Sequence, residues 1–281
     1  MRRIVSAGLL AAALLCAGGA AAQVPGTGAP APTLPTGADR VRAALAGMIA
    51  DVEQAPLTRE RIRSLAGQFR ALGPAAAEPI LAVVDPASRD LAALRATHPA
   101  RAARFEAVLL DAVGRLENPI AAPAFRAALD RAEPEVARAA ARGLGKLCRA
   151  EDLAFLAAHP SDAALEGLGF CRRAETGAAL VRALAGAGAR VAEVARAAGN
   201  WGSSWAWQAL GPEASAASLQ ARGEVAAALV AALPRTEGEA RREVERAILL
   251  LELPQTDALL QGIEAVAPES VARIRAGLRR R

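Results

Sequence analysis

The chain has 281 residues, 53% of them hydrophobic, a formal charge of +5 and a sequence pI near 10.2. That apolar share excludes a wholly disordered protein and is enough for a substantial core. Aromatics make up 3%, tyrosine is absent and the apolar content is mostly alanine and leucine, so an all-α fold with essentially no sheet is expected.

The basic balance invites a nucleic-acid partner, but its composition argues against one. A single lysine, Lys146, stands against 33 arginines, and these are scattered among 29 acids. An Ala- and Arg-rich, Lys-poor chain is what GC-rich coding produces. The one dense basic run is Arg273, Arg275, Arg279, Arg280 and Arg281, which reads as a C-terminal helix end where cations suit the helix dipole.

Residues 1–22 carry two arginines, an apolar run from Ile4 to about Ala17 and then Ala20-Ala21-Ala22 before Gln23. This is the layout of a secretory signal peptide with cleavage after Ala22, and the run is shorter than the roughly 20 residues that span a bilayer. Cys16 raises a lipid anchor, but Leu14 and Leu15 stand where such signals want a small residue. A periplasmic or secreted protein is expected, membrane-attached only through an uncleaved or lipidated N-terminus. Residues 23–38, rich in Pro, Gly and Thr and nearly uncharged, read as a linker.

From Asp39 to Arg281 helical segments follow one another. Asp39 to Glu53 places Val41, Leu45, Met48, Ile49 and Val52 at helical spacing. Thr58 is a candidate cap for the next helix, which carries Ile62, Leu65, Phe69 and Leu72 and stops at Gly73-Pro74. A shorter segment spans Pro79 to Val84, and a longer helix Pro99 to Leu116. Leu116 to Cys148 is the clearest unit: two helices back to back, opened by Pro119 and Pro134, with Gly143-Leu144-Gly145 ending the second by close packing or a left-handed cap.

A hydrophobic residue followed by glycine recurs at Leu72-Gly73, Val113-Gly114, Leu144-Gly145, Leu168-Gly169 and Ala198-Gly199, at glycine spacings of 41, 31, 24 and 30. Such periods signal stacked repeats, whose helix pairs must share a core with their neighbours. Past Gly199, Asn200 to Gln208 holds all three tryptophans, and a short helix from Trp205 to Leu210, capped by Ser203 or Ser204, ends at Gly211-Pro212. Helices over Glu213 to Leu233, Glu237 to Leu253 and Pro254 to Val266 follow, with Pro268 opening the last.

Val136 to Gly145, VARAAARGLG, resembles the second helix of HEAT repeats, particularly the short bacterial form named after phycobilisome lyases. Val136, Ala140, Ala141, Leu144 and Gly145 match, while Ala137 replaces the usual arginine and Arg138 sits one place late. The resemblance covers about Leu116 to Gly199. It implies a right-handed alpha-alpha superhelix, a solenoid of HEAT-like helix pairs, that binds other proteins.

No catalytic, cofactor or metal constellation stands out. His98 and His159 each precede a proline and read as turns before helices, and no HExxH, CxxC or acidic calcium loop supplies a metal partner. Ser203 and Ser204 lack a G-x-S-x-G frame. Cys148 and Cys171, the cysteines beyond the signal, admit a disulfide joining consecutive repeats. Packed helices sit ~8–10 Å apart whereas a disulfide needs Cα atoms within about 7 Å, so the bridge requires helix ends or facing positions, and free thiols are the alternative.

Trp201, Trp205 and Trp207, with Arg138 and Arg142 on a repeat helix, are the candidate partner contacts, since tryptophan is favoured at binding hot spots. Core packing is the competing role. Trp205 and Trp207 lie about 200° apart on a helix, so at least one reaches a surface or junction. The expectation is a non-enzymatic scaffold for a protein or peptide. The alternatives are a lyase-like, enzyme-associated role and electrostatic binding to an anionic envelope surface.

Overall fold

The computed structural model describes residues 37–280, so the signal-peptide reading and most of the linker lie outside the described residues. Every regular element among the described residues is helical. In chain order they are α1 (Gly37–Gln54), α2 (Arg59–Leu72), α3 (Ala77–Val84), α4 (Ala92–Thr97), α5 (Pro99–Gly114), α6 (Ala122–Leu129), α7 (Pro134–Leu147) and α8 (Ala150–Ala158). There follow α9 (Asp162–Leu168), α10 (Ala174–Ala185), α11 (Val191–Gly202), α12 (Ser204–Gln208), α13 (Pro212–Ala232), α14 (Gly238–Leu251), α15 (Thr256–Gln261) and α16 (Pro268–Leu278). Helix α1 takes in Gly37 and Ala38, which composition had assigned to the linker.

The local stops and starts have identifiable causes. Thr58 accepts a hydrogen bond from the Arg61 amide, and Ser161 accepts one from Ala164, each satisfying a first-turn donor. Prolines open α5, α7, α13 and α16, where a missing N–H costs no helix bond. Pro119 opens a 3-10 turn, Pro119–Ala121, that leads into α6. Helix α15 is shorter than Pro254 to Val266: beyond Gly262 the amides of Ile263, Glu264 and Val266 bond three residues back, a tighter winding that ends the α-helix. The six-residue α4 had no sequence signal because its one core anchor is Leu94.

Helices pack in sequence. Helix α5 lies against α7, α7 against α9, α9 against α11, α11 against α14 and α14 against α16. Helix α3 also packs on α5, α6 on α7, α8 on α7 and α9, α10 on α11 and α13 on α14, and α10 lies against α13. One contiguous apolar cluster runs through these pairs from Val41 to Ile274.

Glycines set how closely α5, α7, α9, α11 and α14 approach one another. Gly143-Leu144-Gly145 does not end its helix: α7 runs on to Leu147, and the left-handed cap is Cys148 at φ 50°. A Cβ on Gly143 would fall 2.5 Å from the Phe125 ring, and one on Gly167 of α9 would fall 2.6 Å from the Ala141 carbonyl oxygen of α7. Gly114 faces the Cα of Gly143, and Gly199 that of Ala247. The hydrophobic-glycine pairs at Gly114, Gly145, Gly169 and Gly199 therefore mark close helix approaches, with Gly114 and Gly169 also standing at helix ends, whereas Gly73 is a terminus at φ 67° with open space around it.

Arginine does much of the polar work inside this fold. The acids Glu106, Asp152 and Glu245 are buried. Glu106 is held by Arg95 at 2.7 Å and by Arg131. Arg126 and Arg149 hold Asp152 at 2.7 Å each, and Arg273 holds Glu245 at 2.7 Å. Other arginines donate to carbonyls at helix C-termini, the groups a helix leaves unpaired. Arg101 donates to Val52 and Glu53 of α1. Arg172 donates to Gly169 after α9 and to Asn200 of α11, and the buried Arg222 donates to Gly202 of α11 and Leu251 of α14. A planar guanidinium presents five donors in a fixed fork, so it can reach carbonyls of two separate helix ends at once.

Candidate functional site

The tryptophan segment divides sharply by exposure. Trp201, near the end of α11, is fully buried, and Trp207 on α12 is 4% exposed. Their rings meet edge to face with centroids 5.7 Å apart. The Trp207 indole N–H donates to the Trp201 carbonyl at 2.7 Å, and the Trp201 N–H donates to the Arg173 carbonyl at 3.1 Å. Both polar handles are thus spent inside the protein, so Trp201 and Trp207 are core residues and not partner contacts. Gly177 of α10 makes room for the Trp201 ring, since a Cβ there would lie 2.8 Å from it.

Trp205 is the opposite case. It is 76% exposed, and Leu210, five residues on, is 55% exposed. The short helix α12 is fixed from beneath by Trp207 and by Ser204, whose hydroxyl donates to the Glu252 carboxylate of the residue capping α14. Ser203 takes the cap position by backbone alone, without a side-chain bond. Trp205 is therefore an outward-facing ring on a pinned support.

Arg138 and Arg142 lie one turn apart on α7 and fare differently. The Arg142 guanidinium donates to both Asp111 oxygens of α5, at 3.0 and 2.8 Å, and to Glu166 of α9 at 2.7 Å. It clasps three successive helices, and those two carboxylates raise its pKa despite burial. Arg142 is thus committed to the fold and not offered to a partner. Arg138 is 55% exposed and 3.9 Å from Glu166. It lines a polar cleft of about 310 Å3 with Asp162, Glu166, Glu193, Arg196 and Asn200, and Arg196 in turn pairs with Glu239 of α14 at 3.4 Å.

Cys148 and Cys171 form a disulfide, with Cα atoms 4.9 Å apart. Each sits just past the end of a helix, α7 and α9, which is how the Cα atoms come closer than two packed helix axes. Beside it, burial lowers the Arg172 guanidinium to about 10, where it bonds the two helix ends.

His159 closes α8 as expected for a His-Pro turn, and it does more. One ring nitrogen meets the Asp130 carboxylate at 2.9 Å and the other the Ser161 hydroxyl at 2.9 Å. The Ser161 oxygen also accepts the Ala164 amide, so this chain of three side chains ties the turn after α6 to the start of α9. Nothing in the sequence singles out Asp130 as the partner. In the basic C-terminal run, Arg273 pairs with Glu245 and Arg275 with Asp257 and Glu264, leaving Arg279 and Arg280 without ion pairs among the described residues. Also among the described residues, no group of three or more His, Cys, Asp or Glu is placed to hold a metal ion.

No protein-family model matches the chain, and no curated protein sequence matches it either.

Proposed function

We propose that this chain is an exported, non-enzymatic scaffold of HEAT-like helix pairs, stacked as a right-handed superhelix, that holds a protein or peptide partner through Trp205. The observation that carries this reading is the 76% exposure of Trp205 in a chain with only 3% aromatic residues. An indole held on a pinned short helix presents a large apolar surface at little entropic cost, which suits a partner offering an apolar pocket. Arg138 and the polar cleft on α7, α9 and α11 are a second contact region. The succession of second helices from α5 to α16 supports a stacked-repeat architecture, and the disulfide supports an oxidising compartment.

The test is a pull-down from the envelope fraction with the wild-type chain and Trp205→Ala, washed at low and high salt. The expected result is a partner retained by the wild type at high salt and lost with Trp205→Ala. The same captured set for both proteins would overturn the reading.

A further inference from the structure

A groove beside the first helix and the outer face of the last helix carry opposite unpaired charge. Between α1 and α3 runs a groove of about 520 Å3. Glu53, Glu78 and Asp90 line it, and none of the three has an ion-pair partner among the described residues. Its one cation, Arg42, is already paired with Asp39 at 3.3 Å. The walls are stepped with exposed alanines, Ala46 and Ala50 on α1 and Ala82 on α3, small enough to let another helix come close.

The outer face of α16 is the complement. Ala272, Ala276 and Arg279 follow at spacings of four and three, so they share one face, while Val271 and Ile274 are buried on another. Arg279 and Arg280 end that face without ion pairs among the described residues, unlike Arg273 and Arg275.

We propose that the groove between α1 and α3 receives α16 of a second copy of this chain, joining copies head to tail. The alanines of the two faces set the close approach, and the arginines of one copy neutralise the carboxylates of the next. The contact uses two different surfaces, so it repeats from copy to copy and gives a ring if the rotation closes and a filament if it does not. It is independent of Trp205, so Trp205→Ala leaves the association unchanged.

Sedimentation velocity of the full chain over a concentration series tests this. At low salt the sedimentation coefficient is expected to rise with concentration, and the association to weaken at least about tenfold near 1 M salt, where the screening length is ~3 Å. Two charge-reversed proteins, Glu53→Arg with Glu78→Arg and Arg279→Glu with Arg280→Glu, are each expected to stay monomeric while keeping a wild-type helical spectrum. Mixed in equal amounts they are expected to associate again, because each reversed surface then meets its complement. A wild type that stays monomeric throughout overturns the proposal, as does association that survives both reversals or is not restored on mixing. Association appearing only after residues 23–36 are deleted assigns the groove to the chain's own leading segment and overturns it too.

Discussion

Gly145 of α7 and Gly167 of α9 meet backbone to backbone: a Cβ on Gly145 would overlap the Gly167 carbonyl, and one on Gly167 would lie 2.6 Å from the Ala141 carbonyl oxygen. The same substitution is therefore expected to have opposite signs at different glycines. Gly167→Ala forces α7 and α9 apart and should cost about 1–3 kcal/mol, an overpacking penalty that exceeds the helix-propensity gain. Gly47→Ala, inside α1 with nothing within 4 Å of the added Cβ, should stabilise by up to ~1 kcal/mol. Urea unfolding of the two variants beside the wild type gives both signs in one experiment.

The three tryptophans should separate in solution. Iodide or acrylamide is expected to quench the emission of one ring, Trp205, and leave the Trp201 and Trp207 pair shielded. Trp205→Ala should leave stability within about 0.5 kcal/mol of wild type. Trp201→Ala should cost roughly 3–5 kcal/mol, because it empties a fully buried site and removes the indole hydrogen bond to the Arg173 carbonyl.

Acid should act through Asp152. Burial alone would raise its pKa, but hydrogen bonds from Arg149 and Arg126 outweigh burial and hold it below its ordinary value of 3.8. The unfolded chain thus takes up this proton first. The stability from the clamp is complete above that ordinary value and is lost as pH falls through the lower folded value. Melting temperatures measured from neutral pH downward should fall in that window. Asp152→Asn should flatten the acid limb while lowering stability at neutral pH, less than loss of a fully buried ion pair would, because the two guanidinium groups that lose their shared carboxylate are one-third exposed and Arg149 keeps Glu151.

Reduction should reveal the worth of the Cys148–Cys171 bridge. It closes a loop of 23 residues, for which chain entropy gives about 3 kcal/mol. Cys148→Ser with Cys171→Ser is expected to unfold at correspondingly lower urea. A reducing agent should shift the wild type to the same midpoint without shifting the variant.

What could be read from sequence followed from whether the signal was local. Thr58, Pro99, Pro134 and Pro268 act through their own backbone and neighbours, so the helix starts they mark appear where expected. Glycine has two uses, terminating a helix and letting another backbone close in, and the letters alone do not separate Gly73 from Gly145. The one hint was Lys146-Leu147, which continues the helix past the pair. Helical geometry showed that Trp205 and Trp207 must point apart, but which one faces inward depends on the Trp201 ring and on where α11 ends. The arginine clamps were invisible for another reason. Arg172 and Arg222 bond carbonyls of Asn200, Gly202 and Leu251, and a carbonyl carries no residue identity. Some of the scattered arginines that look like a compositional habit, Arg172 and Arg222 among them, are thus committed to holding helix ends together.

The bridge between Cys148 and Cys171 also decides what a pulling force can reach. Helices α8 and α9 lie wholly between the two cysteines. Tension applied at the chain ends would travel through the sulfur atoms and bypass that pair. The residues on either side would lengthen under load, while the 23-residue loop would contribute none of its extended contour, about 75–80 Å at ~3.3–3.5 Å per residue. Helices α8 and α9 would carry no tension themselves, and they would come apart only indirectly, by losing the packing of α7 and α11 once those unravelled.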